Sequence, residues 1–170
     1  MTTISRERAD LLESLGAIRF FLRHTAQGLT DEQAATRSTV SELCVGGLIK
    51  HVTAVERQWA RFIVEGPAAT AVADDPGAYE EYANGFRMLP GETLAGLLEE
   101  YERVAKETDE LVRTLPDLDA DHPLPPAPWF EPGARRSHRR TLQHIVAETA
   151  QHAGHADIIR VTIDGQKSMG

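Results

Sequence analysis

The sequence predicts an all-α protein, a four-helix bundle with long connections. Three observations lead there. Four stretches carry apolar residues at helical spacing. No stretch shows the strict alternation of a half-buried strand. Polar segments and segments rich in glycine and proline separate the four. A length of 170 residues suits one domain, 1–170, with a sizeable core.

The first helix is expected from about Ser5 to Gly28, with Leu11, Leu12, Leu15, Ile18, Phe21 and Leu22 on its apolar face and Gly28 as its stop. A polar connection follows, in which Thr30 and Gln33 have the spacing of a capping box. The second helix runs from about Ser41 to Glu65. Leu48, Val52, Val55, Trp59 and Phe62 share one face, and Gly66-Pro67 ends it. Gly46 and Gly47 are awkward inside a helix and imply a late start or close packing. A long Ala/Asp-rich connection reaches about Gly91, with a short helix expected near Tyr79–Phe86.

The third helix runs from about Glu92 to Leu115. Leu94, Leu97, Leu98, Tyr101, Val104, Leu111 and Val112 form its apolar face, and Pro116 stops it. Segment 116–137 holds Pro116, Pro123, Pro125, Pro126, Pro128 and Pro132, which excludes a regular helix or a central strand. A loop this long in a compact domain is often functional. Trp129 and Phe130 offer it an apolar anchor and are its candidate lid residues. The fourth helix runs from about Ser137 to Ile163 and stops at Asp164-Gly165.

Composition narrows the function. A formal net charge of −8 argues against nucleic acid as a partner. No apolar run is long enough to span a bilayer, and the N-terminus has no signal-peptide h-region, so the expected compartment is the cytoplasm. Cys44, the single cysteine, excludes an internal disulfide and a thiolate-rich zinc site, and reads as a small buried residue. Arg135, Arg136, Arg139 and Arg140 read as the solvated start of the last helix. The alternative is a cavity-facing group that holds an anionic ligand.

The stretch HIVAETAQHAGH, at 144–155, concentrates ligand-forming side chains. With a step of about 100° per residue, His144, Glu148, His152 and His155 fall in a stripe roughly 80° wide. The apolar face of Leu142, Ile145, Thr149, Ala153, Ala156 and Ile159 lies beside it, so the stripe borders the core. Glu148 and His152 are one turn apart and can share an ion. A catalytic zinc site needs a third protein ligand and an open position. His51, at the edge of the second helix's apolar face, offers that ligand.

The plainer alternative is a set of hydrogen-bonded packing histidines, with Glu148 paired to a solvent-side cation. Spacing alone leaves both open. His24 could face the cavity, while His122 and His138 read as surface residues. There is no HExxH, no repeated Glu-x-x-His of a di-iron bundle and no GxSxG elbow.

LIKHVTAVERQW at 48–59 and ETAQHAGHADIIRVTIDG at 148–165 resemble the DinB-like (DinB/YfiT) superfamily of metal-binding four-helix bundles. Among its members, the chain is most similar to an actinobacterial mini-circle-type branch of unknown function. It is related to the N-terminal domain of mycothiol-dependent maleylpyruvate isomerase. The resemblance implies one metal ligand from the second helix and two from the fourth. Carried onto this sequence, these are His51, Glu148 and His152, with His155 as a neighbour that supports the site.

It also implies a divalent metal, zinc first and nickel, iron or manganese as alternatives. The implied activity is a thiol-dependent transferase or isomerase acting on a small electrophile, with a low-molecular-weight thiol such as mycothiol as cosubstrate. The additional C-terminal domain of the isomerase has no expected counterpart in 1–170. Alternatives are a metal-dependent hydrolase and a non-enzymatic bundle that binds a ligand or dimerises. A homodimer is a possible assembly under any of them.

Overall fold

The structure is a computed structural model and describes residues 4–70 and 76–168. Among these it has six α-helices: α1 (Arg6–Thr25), α2 (Asp31–Ala35), α3 (Val45–Glu65), α4 (Pro76–Asn84), α5 (Leu94–Thr114) and α6 (His138–Asp164). The four long ones are the expected four, and the protein is all-α and DinB-like in arrangement. Helices α1 and α3 each pack against both α5 and α6, which puts α1 diagonal to α3. The site-bearing pair, α3 and α6, is therefore in direct contact.

Local chemistry sets the ends. Ser5, Thr93 and Ser137 accept a backbone N–H of the first turn, at Arg8, Gly96 and Arg140. Thr30 and Gln33 form the expected capping box on α2. Gly165, at φ 80°, closes α6 in the left-handed conformation that an L side chain resists. Helix α4 stands where the short helix is expected, while 71–75 of that connection lie outside the described residues.

The glycine pair has a packing reason. The chain at Phe86–Met88 lies so close to α3 that a Cβ on Gly47 would overlap the Phe86 carbonyl, and one on Gly46 would overlap Met88. Cys44 is buried, as expected, and serves as the N-cap of α3. Its sulfur accepts the Gly47 N–H at 3.4 Å.

Segment 116–137 holds a feature that the sequence does not reveal. Asp121–Pro123 and Arg135–Ser137 form a two-stranded antiparallel ladder, β1 and β2, with His122 opposite Arg136. Three residues per strand are too few for a period-2 pattern to register. Trp129 is 75% exposed and does not anchor the loop, whereas Phe130 is half-buried.

The interior is apolar at both ends and polar between them. One cluster joins Leu22, Leu48, Ile49, Val52, Tyr101 and Ile159, and the other Leu11, Leu15, Ile63, Val112, Leu142 and Ile145. Between them lies Arg19 of α1, bonded to Glu56 of α3 at 2.5 and 3.3 Å and to Asp109 of α5 at 2.7 Å. Arg19 and Glu56 are both buried. A charge removed from water this far is tolerated only when paired and hydrogen-bonded.

Candidate metal centre

Helix α3 contributes His51, and α6 contributes Glu148 and His152 one turn apart. One ligand atom from each lies within 4.8 Å of the other two. The His51 and His152 rings meet edge to face, with centroids 4.8 Å apart and planes at 79°. Glu148 stands between two imidazoles: Oε2 is 3.7 Å from Nε2 of His152, and Oε1 is 3.8 Å from Nε2 of His144. Both distances exceed a hydrogen bond. No lysine or arginine among the described residues pairs with Glu148, which removes the solvent-side cation as its partner.

These residues fit a divalent ion. Two donors of one zinc with bonds of about 2.0–2.2 Å lie at most ~4 Å apart, so small side-chain rotations would close the trio. The carboxylate is half-buried and accepts no hydrogen bond from the described residues. A carboxylate in that position has acceptor capacity to spare.

The imidazoles are in the state that ligation requires. Burial lowers the pKa of His51 to about 4, helped by the nearby His152. Burial lowers that of His144 to about 4 as well, with Arg136 and Arg140 adding to it. His152 shifts down by burial and then by His155. At neutral pH these rings are uncharged, and each has a nitrogen lone pair to offer.

Residues 10–165 match the family described as mycothiol-S-transferase. The chain belongs to the mycothiol S-transferase family, which is DinB-like. No curated protein matches it.

In this mycothiol S-transferase family member, other side chains shape the site. Nδ1 of His155 meets Nδ1 of His152 at 3.4 Å, which leaves Nε2 of His152 on the Glu148 side. Such a contact fixes ring orientation and tautomer. Phe86 stacks on His51 at 3.9 Å and 22°, covering it from bulk water. Sequence reading missed Phe86, whose segment lacks periodicity. The signal was Gly46-Gly47, which admits that segment against α3. His144 extends the row toward Trp59, whose ring it meets edge-on at 4.9 Å.

Three histidines lie elsewhere. His24 stacks on Phe20, one turn away on α1. His122 and His138 are not the surface residues expected. His138 is 7% exposed and its Nδ1 lies 2.9 Å from the Asp117 carbonyl. His122 is half-buried, with Nε2 3.1 Å from the Ile63 carbonyl. The two rings lie 5.5 Å apart, and His122 also meets the Phe62 ring edge to face at 5.6 Å. Their burial comes from long-range folding of segment 116–137, which helical periodicity does not encode.

Proposed function

We propose that the protein is a divalent-metal-dependent thiol transferase. His51, Glu148 and His152 hold the ion, with zinc the first choice. Mycothiol, or another low-molecular-weight thiol, is joined to a small electrophile. The observation that carries this reading is the convergence of three donors from α3 and α6 within 4.8 Å. Membership of the mycothiol S-transferase family supplies the reaction class.

A divalent ion bound there lowers the pKa of a thiol, so that the sulfur is a nucleophile at neutral pH. The protein's own groups do the rest. Two neutral imidazoles and one carboxylate leave a net positive charge at the site, which favours an anionic sulfur. His155 holds the orientation of the His152 ring. Phe86 covers His51 and excludes water from that flank. In the net reaction sulfur bonds to carbon, the leaving group departs with its electron pair, and the thiol proton passes to solvent.

The test is turnover. Purified protein with zinc, mycothiol and a haloalkyl electrophile should form the thioether, and chelation or His152→Ala should stop it. Equal product formation by His152→Ala would contradict the reading. Turnover of an ester with no thiol present would point to the hydrolase alternative instead.

A further inference from the structure

The arginine cluster at the start of α6 divides in two. Arg135 pairs with Asp121 at 2.5 Å, and Arg139 pairs with Glu7 and Asp119. Arg136 and Arg140 have no carboxylate partner among the described residues. This happens in a chain with 26 acidic residues against 18 lysines and arginines, where an unpaired arginine is not for want of partners.

Arg136 is also fixed in place. Its guanidinium carbon lies 4.6 Å from the Trp59 ring centroid and 5.6 Å from that of Phe130. Its Nη1 is buried and makes no hydrogen bond to a described residue. A buried guanidinium N–H without an acceptor costs stability. Burial pushes the Arg136 pKa down, and the charge of Arg140 acts in the same direction.

Its position relative to the metal-ligand candidates is defined by contacts. Trp59 touches both Arg136 and His144, and His144 faces Glu148. Residues 140, 144, 148 and 152 recur every four along α6 and lie in one row. Arg140 and Glu148 are two turns apart, about 12 Å along the axis.

We propose that Arg136 and Arg140 form an oxyanion-binding subsite for the electrophilic substrate, which carries a carboxylate or phosphate group remote from its reactive carbon. The guanidinium of Arg136 is half-buried and donates no hydrogen bond to a described residue, and its planar fork suits both oxyanions. Trp59 and Phe130 hold the fork and provide an apolar wall for the rest of the molecule. The assignment rests on the transferase reading only in giving the anion to the electrophile; the subsite itself does not depend on it.

The test is binding to the full chain, with and without zinc, followed by the NMR signals of the Arg136 Nε–H and the Trp59 indole N–H. Benzoate, phenyl phosphate and neutral benzamide are the probes. Saturable shifts with benzoate or phenyl phosphate and none with benzamide are expected, and the stronger of the two anions identifies the oxyanion class. Arg136→Gln should weaken binding roughly tenfold or more, Arg140→Gln should weaken it less, and Arg135→Gln should leave it unchanged. The backbone amide spectrum reports whether each variant is folded. Equal response to benzamide, or undiminished anion binding in folded Arg136→Gln and Arg140→Gln, would overturn the subsite. Anion binding in a protein that shows no thiol transfer would keep the subsite and remove the transferase reading.

Discussion

Glu56 and Glu148 are carboxylates on the inner sides of two helices that pack together, and the fold treats them differently. Glu56 is fully buried and accepts two hydrogen bonds from Arg19, which also holds Asp109. Its charge is neutralised within the chain, and the three residues tie α1, α3 and α5 together. Glu148 is half-buried, has two imidazoles for neighbours and accepts no hydrogen bond from the described residues. The first arrangement is complete without a ligand. The second has acceptor capacity and low-pKa imidazoles left over, which suits the cation site proposed above.

Exchanging the charges for amides should separate the two roles. Glu148→Gln should reduce thiol transfer to background, while the unfolding free energy of the metal-free protein moves by less than about 0.5 kcal/mol. Activity assays and urea titration of the same preparation measure both. Glu56→Gln should do the reverse. It leaves Arg19 buried with only Asp109, so a loss of about 3 kcal/mol is expected, with metal binding retained in the folded fraction. A stable Glu56→Gln variant, or a strongly destabilised Glu148→Gln, would dissolve the contrast.

Two smaller effects sharpen the account of the site. Gly47→Ala has no room beneath the Phe86 carbonyl, so Phe86 must leave His51, at a cost of about 1–3 kcal/mol. Denaturant midpoints would give the cost, and the His51 ring proton shifts would report the lost stacking. His155→Ala should weaken zinc binding about tenfold, because His152 loses the group that orients it. Competition with a chelating dye would read that change, and His155→Gln should recover most of it.

A further effect is a pH dependence of the metal-free protein. His51 has its folded pKa lowered from 6.5 to about 4, so the unfolded chain binds more protons between those values. The contribution of His51 is present above pH 6.5 and is lost as pH falls toward 4. His144 acts in the same direction over the same window. Urea midpoints should therefore decline from pH 6.5 to 4, and less steeply in His51→Gln. Equal slopes in the two proteins would show that His51 is not desolvated.

What the sequence made legible follows periodicity. The four long helices and the placement of His51, Glu148 and His152 on facing edges could be read from it, because each lies in a long regular element. The buried ion pair was less visible, since charge at an inner position breaks the apolar pattern. Arg19, four residues after Leu15 and three before Leu22, and Glu56, four after Val52 and three before Trp59, carried the signal. Phe86 and the ladder that contains His122 lie in irregular segments whose contacts are long-range. The arginine cluster was legible as a cluster, and only the fold shows which two of its members find acids.

The most direct test is the metal itself. Untagged protein purified without added metal should contain, or take up on zinc titration, about one ion per chain. Glu148→Gln and His152→Ala should take up none, and Glu56→Gln should still bind. No uptake by the wild-type protein, or one ion per chain in all three variants, would contradict a centre formed by His51, Glu148 and His152.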